Sequence, residues 1–138
     1  MPVLTRLALL VAVLALAACG KERPTQAVRK SVERFGKAVA ARDYQELCDN
    51  LIAGNLIAAL EERGVPCELA LKTGLGSAKH PKLTIKTVAV NGNEALVGVH
   101  STADNQPPSD DTLGLVKEHG KWKVSKLSRP EPQPPAQP

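Results

Sequence analysis

Cysteine and histidine provide the most reactive side chains of this 138-residue chain, which contains three of each. A cysteine can act as a nucleophile, bind a metal ion, form a disulfide or accept a covalent modification. Cys19, Cys48 and Cys67 are too widely spaced for a CxxC zinc motif, and the sequence has no HxxxH pair and no serine nucleophile elbow. We therefore expect no metal ion and no cofactor, and the spacing favours modification and cross-linking of the cysteines.

The first cysteine follows a short apolar segment. The twelve residues from Leu7 to Ala18 are apolar, whereas a membrane-spanning helix needs about 20. A basic start, an apolar segment and small residues before a cleavage point are typical of a secretory signal. Leu16-Ala17-Ala18-Cys19 resembles the bacterial lipobox, in which the cysteine sulfur is lipidated and the cysteine becomes the first mature residue. We therefore predict a lipoprotein signal peptide over residues 1–18 and an anchor and linker over 19–24; an ordinary signal peptide with an incidental cysteine is the alternative.

A lipid on Cys19 would determine where the protein works. Several acyl chains, at ~0.8 kcal/mol per buried methylene, hold a protein firmly at a membrane. We expect a lipid-anchored protein of the cell membrane or outer membrane that faces away from the cytoplasm, with an envelope protein or a small-molecule ligand as a further partner. Nucleic acid is not expected, because no aromatic residues alternate with the basic ones. Four lysines lie either near anionic lipid or wall polymer or on a solvated sheet face: Lys117, Lys121, Lys123 and Lys126.

The other two cysteines are expected to pair. If the lipid takes the Cys19 thiol, Cys48 and Cys67 remain as a pair in an oxidising compartment, where one disulfide is the simplest arrangement. Eighteen residues separate them, and closing such a loop contributes about 3 kcal/mol in the chain-entropy model. Two buried free thiols or a metal site are the alternatives that the spacing leaves open.

The first half of the mature chain has helical periodicity. Apolar residues spaced by four, three and four mark one face of a first helix, for which Thr25 is the predicted N-cap: Val28, Val32, Phe35 and Val39. Asp43 and Glu46 have the form of a capping box for a second helix, with Cys48 facing inward. Gly64 is placed to end a third helix, and a short fourth helix ends near Leu71.

The second half has the period of strands. Leu83 and Ile85 alternate with polar residues, and a slip of the pattern at Lys86-Thr87 predicts a β-bulge. Asn91-Gly92 predicts a hairpin. A polar loop is then predicted over residues 103–111.

A second hairpin is predicted after this loop. A third strand over about 113–117 turns at His119-Gly120 into a fourth strand that carries Trp122, Val124 and Leu127. Helices followed by an antiparallel sheet indicate the α+β fold class.

Three segments carry a family resemblance: FGKAVAARDYQELCDNL, TVAVNGNEALVGV and LVKEHGKWKVSKL. They resemble small exported lipoproteins of the NTF2-like superfamily from high-GC bacteria, which are described as domains of unknown function. The resemblance covers residues 25–128, and the positions of Cys48 and Cys67 match a subgroup of these lipoproteins. It implies N-terminal helices packed on a curved antiparallel sheet in a cone-shaped roll, with a proline-rich tail over 129–138 outside the domain.

The resemblance also implies where a site would lie. Some relatives are isomerases or dehydratases with an acidic base, a histidine or a tyrosine inside the cone, whereas others bind a ligand or only contact proteins. Tyr44 and His100 are the candidates to line such a cavity. His100 lies on the opposite face of its strand from Val97 and Val99, so it either lines the cavity or faces water. No catalytic set emerges. We therefore predict a non-catalytic module that binds a protein partner or a small ligand; an NTF2-like isomerase or dehydratase with an unrecognised site is the alternative.

Removal of residues 129–138 is expected to leave the Tm of the domain nearly unchanged. Five of these ten residues are proline and only Ala136 is otherwise apolar, so the segment has little to bury. Thermal unfolding of the full and shortened mature chains measures the effect. A fall in Tm of more than about 5 °C, which corresponds to roughly 1 kcal/mol for a domain of this size, would show that the tail packs on the domain.

Overall fold

A computed structural model describes residues 20–128, as helices followed by a sheet. The predicted signal peptide, Cys19 and the tail after residue 128 lie outside the described residues. The helices are α1 (Pro24–Ala41), α2 (Tyr44–Glu46), which continues as a π-helical turn (Leu47–Leu51), α3 (Gly54–Glu61) and α4 (Cys67–Leu75). The strands are β1 (Lys82–Asn91), β2 (Glu94–Ala103), β3 (Gln106–Glu118) and β4 (Lys121–Ser128). In this part of the chain, every helix is too short or too polar to cross a membrane.

Helix α1 is amphipathic, and its apolar face covers the sheet. Val28 and Val32 are fully buried, as the spacing of the apolar residues predicted. The predicted cap at Thr25 was wrong, because Arg23 is the N-cap residue and Pro24 occupies the start of the helix. Proline is favoured there, since its missing N–H group would have no helical partner in any case. At the other end Arg42 has a left-handed φ of 56°, which terminates the helix.

Asp43 is the N-cap residue of the next helix, α2. Its Oδ1 accepts a hydrogen bond from the backbone N–H of Glu46 at 3.0 Å, which confirms the predicted cap. The Glu46 carboxylate, however, is bound elsewhere: it pairs with Arg34 and accepts a hydrogen bond from Asn50 Nδ2 at 2.7 Å. The side chain of Glu46 thus ties α1 to the π-helical turn.

The helical layer is joined to the edge of the sheet directly after the π-helical turn. Ile52 forms a parallel bridge with Val124 of β4, and the Ala53 N–H donates to the Val124 carbonyl at 2.8 Å. Asn55 Nδ2 donates to the Ser125 carbonyl at 3.1 Å. These bonds occupy backbone groups of an edge strand that would otherwise be open to pairing with another chain.

The strands form one antiparallel sheet in the order β1-β2-β3-β4. The predicted bulge is present, because the register of β1 against β2 shifts between Ile85 and Thr87. The bulge lets Val88 pack against the same core as Ile85 although the two residues are an odd number apart. The predicted turn at Asn91-Gly92 is also present, and Gly92 has a left-handed φ of 58°.

The third strand begins earlier than predicted. Residues 103–111 were expected to form a loop, but β3 begins at Gln106 and the turn is limited to Asp104-Asn105. Pro107-Pro108 cannot donate to the ladder, and the register of β2 against β3 shifts opposite these prolines. The strand therefore accommodates them at an irregularity, which is where sheets tolerate proline.

The fourth strand carries Trp122, Val124 and Leu127, as predicted, and these side chains differ in exposure. Trp122 and Val124 are buried, but Leu127 is 62% exposed. The register of β3 against β4 shifts at Leu115, which brings Leu127 opposite the buried Leu113. Leu127 thus lies on the same face as the core, near the end of an edge strand, where its side chain remains in contact with water.

The core has two parts, both of them apolar. The larger part lies between α1 and one face of the sheet, which we call the inner face. Its buried residues are Val28, Val32, Ala95, Val97, Val99, Leu113, Leu115, Trp122 and Val124. The smaller part lies within the helical layer, around Ala38, Leu47, Leu51 and Ile52. Phe35 packs against both parts and joins them.

A disulfide joins Cys48 on the π-helical turn to Cys67 at the start of α4, with their Cα atoms 6.1 Å apart. The predicted pairing is therefore present. Gly64 ends the preceding helical segment with a left-handed φ of 68°, as predicted. Helix α4 continues to Leu75, beyond the predicted end near Leu71, and packs against the smaller core through partly buried side chains.

Removal of the disulfide is expected to lower the free energy of unfolding by about 2–5 kcal/mol, the usual cost for a small exported domain. Helix α4 contributes only partly buried side chains to the smaller core, so this bond adds substantially to its docking. Urea denaturation followed by circular dichroism compares the Cys48→Ala/Cys67→Ala variant with its parent, both carrying Cys19→Ser to remove the third thiol. A difference below about 0.5 kcal/mol, the range of ordinary surface substitutions, would contradict the stabilising role.

Candidate functional site

Two rows of aliphatic side chains cross the inner face of the sheet. The first row is Val90, Ala95, Leu115 and Val124, and the second is Val88, Val97, Leu113 and Leu127. Helix α1 packs its fully buried Val28 and Val32 into the same core. Within residues 20–128, no polar or charged side chain is buried. This interior offers neither the charge nor the hydrogen bonds that act on a reacting group.

Polar side chains reach the inner face nearer the β2–β3 turn. Asp111 lies opposite the core residue Val99, and the Ser109 hydroxyl donates to Asp111 Oδ2 at 2.7 Å. Both side chains are partly buried, and a carboxylate in such a place can serve as a general base. Sequence reasoning missed this pair because residues 103–111 were assigned to a loop. The alternation of Ser109 and Asp111 with Leu113 is the signal that could have revealed it.

His100 does not line the interior, which corrects its candidacy for a cavity. The adjacent Val99 belongs to the core, so His100 lies on the opposite, outer face of the sheet. Its Nδ1 is 2.7 Å from Asp110 Oδ1, and its side chain is 34% exposed. The His100–Asp110 pair and the Ser109–Asp111 pair therefore lie on opposite faces of the sheet and cannot meet at one substrate.

The other two histidines lie in connecting segments. His80 Nδ1 is 2.6 Å from Asp104 Oδ2 at the β2–β3 turn, where both side chains are exposed. His119 occupies the β3–β4 turn, at the opposite end of the strands, with a left-handed φ of 49°. In the part of the chain that the structure describes, no group of three or more His, Cys, Asp or Glu side chains could hold a metal ion.

Tyr44, the second candidate for a cavity, lies in a groove of the helical layer. This groove, which we call the disulfide groove, encloses about 710 Å³ and is lined by Tyr44, Cys48, Ile57, Pro66, Cys67 and Leu69 together with charged residues. Tyr44 also packs against the smaller core. Leu69 is 54% exposed. Apolar side chains beside the charged Asp49, Glu68 and Lys72 give the groove the mixed composition of protein contact surfaces.

A smaller cleft of about 240 Å³ lies between α1 and the β3–β4 turn. The Ser31 hydroxyl donates to the Trp122 carbonyl at 2.6 Å and holds α1 against β4 at this place. Glu22, Lys30 and Lys121 also line the cleft, and Glu22 pairs with Lys30. We call it the anchor-side cleft, because Glu22, which lines it, lies three residues after Cys19, the predicted lipid site.

Comparisons with known proteins identify the fold. No family model matches the chain, and no curated protein matches it in sequence. An NTF2-like protein of unknown function from Shewanella baltica superposes with a TM-score of 0.53 at 13% identity, over 80% of this chain and 100% of that one.

Two further solved structures agree with this match. An NTF2-like protein of unknown function from Silicibacter pomeroyi gives a TM-score of 0.53 at 16% identity, over 73% of this chain and 89% of that one. A de novo designed NTF2 fold protein gives 0.51 at 15% identity, over 82% and 91% of the two chains. The helices over a curved, four-stranded antiparallel sheet are thus those of the NTF2-like fold, as the sequence resemblance predicted.

Proposed function

We propose that the protein is a non-catalytic NTF2-like module, held at the bacterial cell envelope by a lipid on Cys19, that binds a protein partner or a small ligand. The aliphatic inner face of the sheet is the single observation that carries the non-catalytic part of this proposal. Its rows of valine and leucine are packed against α1, so the place where a site inside the roll would form is filled by the core.

Catalysis needs polar groups that converge on one reacting atom in a closed pocket. Two polar pairs that could take part in proton transfer lie on the faces of the sheet, Ser109–Asp111 and His100–Asp110; a third, His80–Asp104, is exposed at the β2–β3 turn. Because the sheet separates the first two pairs, an acid from one pair cannot assist a base from the other. This separation supports a role in binding rather than in chemistry.

The sequence before α1 supports the anchor. Leu16-Ala17-Ala18-Cys19 has the residue types of a lipobox, and Cys48 and Cys67 are joined to each other, which leaves Cys19 as the cysteine available for the lipid. A disulfide in the domain is also in keeping with an oxidising compartment outside the cytoplasm. Both observations favour an exported, lipid-anchored protein.

The disulfide groove supports the binding part of the proposal. It presents the exposed Leu69 beside Tyr44 and Ile57, and its walls are cross-linked by the Cys48–Cys67 bond. A contact surface that is rigid before binding loses less conformational entropy when a partner docks. We therefore assign partner binding to this groove.

A second function is favoured by one observation. Asp111 places a partly buried carboxylate on the inner face, with Ser109 bonded to it. An isomerase or dehydratase would use such a carboxylate to remove a proton from its substrate. The alternative function is therefore an enzyme whose site includes Asp111 at the end of the roll near the β2–β3 turn.

Cys19→Ser is expected to release the protein from the membrane fraction or to leave it unprocessed, because serine cannot accept a thioether-linked lipid. Fractionation and metabolic labelling with a fatty acid measure the two effects, and Cys48→Ala/Cys67→Ala serves as the control that keeps Cys19. Unchanged membrane recovery and unchanged labelling of Cys19→Ser would refute the anchor.

Cross-linking in intact cells, followed by purification of the protein from membranes, is expected to capture a partner through the disulfide groove. Leu69→Asp should reduce capture by more than about tenfold, as expected for the loss of an apolar anchor at an interface centre. Leu96→Asp is the matched control, since Leu96 is 59% exposed on the outer face of the sheet against 54% for Leu69. A co-purified small molecule that the parent converts to a product, with conversion lost in Asp111→Asn and kept in both leucine variants, would instead favour the enzyme.

A further inference from the structure

We propose that the surface around the anchor-side cleft rests on anionic lipid headgroups of the membrane that carries the anchor. This surface, which we call the basic anchor surface, consists of Lys21, Arg23, Lys30, Lys117 and Lys121. The inference deepens the proposed function and rests on the lipid at Cys19. It assigns to the domain a fixed orientation, with the basic anchor surface towards the bilayer.

The length of the tether restricts which part of the domain can reach the membrane. Four residues, Gly20 to Arg23, separate Cys19 from the first residue of α1. At about 3.5 Å per residue, the start of α1 stays within roughly 18 Å of the anchored Cα atom. Helix α1 has 18 residues and is itself about 27 Å long. The N-terminal part of α1 and its neighbours therefore remain near the bilayer in every orientation that the tether allows.

The β3–β4 turn is the neighbour that the sheet places beside this part of α1. The Ser31 hydroxyl bonds to the Trp122 carbonyl, and Lys30 and Lys121 line the same cleft. Lys117 lies next to this group on β3, where it is the cross-strand partner of Trp122. Its Nζ is 6.0 Å from the centroid of the Trp122 ring. The fold thus brings lysines of α1, β3 and β4 together at the end of the domain where the anchor begins.

These positive charges are only partly neutralised by the protein itself. Lys30 pairs with Glu22, but within residues 20–128 no carboxylate lies within salt-bridge distance of Lys21, Arg23, Lys117 or Lys121. Each basic side chain close to an anionic membrane surface strengthens association by about fivefold. A membrane that is always within reach of the tether also presents its headgroups at high effective concentration.

The opposite end of the strands has a different charge pattern. Asp104, Asp110 and Asp111 lie at or near the β2–β3 turn, beside Lys79 and Lys82.

The anchor end carries its five basic side chains against Glu22, Glu94 and Glu118, and Glu118 already binds the Gly54 N–H and lies 3.9 Å from Lys123. The anchor end is therefore the more basic of the two and the better complement to an anionic surface. The basic end of the domain is thus also the end that the tether keeps near the bilayer. This coincidence favours the membrane as the occupant, because a soluble anionic polymer would not be held near either end.

Co-sedimentation with vesicles tests the surface without the lipid. The mature chain from residue 19, with Cys19→Ser, is mixed with vesicles of phosphatidylcholine that contain either no phosphatidylglycerol or about 30% of it. We expect binding to the anionic vesicles, and a large loss of binding when NaCl is raised from about 0.1 M to about 1 M, because the Debye length falls from about 10 Å to about 3 Å.

Two double variants locate the binding surface. Arg23→Gln/Lys121→Gln should weaken partitioning onto anionic vesicles by roughly tenfold or more. Lys79→Gln/Lys82→Gln removes the same charge from exposed residues at the opposite end of the strands and should retain the affinity of the parent. Equal losses in the two variants would show an effect of net charge alone and would overturn the proposal. Absence of binding at low salt would do the same, as would tighter binding to soluble polyphosphate than to vesicles.

A tethered form gives an independent measurement of orientation. The mature chain with its natural Cys19 is coupled to a maleimide lipid, the other two cysteines being in the disulfide. Trp122 is the single tryptophan and lies beside the basic anchor surface, so energy transfer from it to a dansyl headgroup lipid reports the distance to the bilayer. We expect more transfer on anionic than on neutral vesicles, and a decrease in Arg23→Gln/Lys121→Gln only. Equal energy transfer on both kinds of vesicle would contradict the orientation. Failure of Cys19 to be lipidated in cells would refute the anchor instead, and would leave the energy-transfer result unaffected.

Discussion

Packing of α1 on the inner face of the sheet is the interaction on which the rest of the structure depends. Val28 and Val32 are fully buried there, against Trp122 and its neighbours on the strands. Apolar burial contributes about 25 cal/mol per Å², and the chain has only one tryptophan, one tyrosine and one phenylalanine to add large apolar area. The aliphatic side chains therefore have to fill the interior closely, which leaves the polar residues to the rim and the outer surface.

The surfaces available for function follow from this filled interior. The disulfide groove, the anchor-side cleft and the polar pairs lie at the rim of the main core or outside it. Ser109–Asp111 comes nearest to the position of an enzyme site, but it stands on one face of the sheet while His100–Asp110 stands on the other. Catalysis requires polar side chains such as these to converge on one reacting atom, whereas binding of a partner at a surface does not.

Sequence periodicity predicted the elements well where local chemistry determines them. The slip at Lys86-Thr87 marked a real bulge, and Gly64 and Gly92 take the left-handed conformations that glycine tolerates best. The loop that was wrongly predicted over residues 103–111 has a different cause. There, pairing of β3 with β2 accommodates Pro107-Pro108 at an irregularity that no local pattern specifies, and the misplaced loop concealed the Ser109–Asp111 pair. The alternation of side chains along β2 predicted that His100 lies on the face opposite Val97 and Val99. Which of the two faces α1 covers could not be predicted from the strand alone.

The position of the disulfide along the chain has a consequence for biogenesis. Both of its cysteines precede the first strand, so if the chain is exported as proposed, an oxidase outside the cytoplasm could close the bond while the strands are still passing through the export channel. The helical layer can thus be cross-linked before its sheet exists. During this interval an unmodified Cys19 would be a third thiol on the same short segment, able to exchange with the new bond. The proposed acylation of Cys19 would remove that competitor, so that maturation of the N-terminus would also protect the correct pairing.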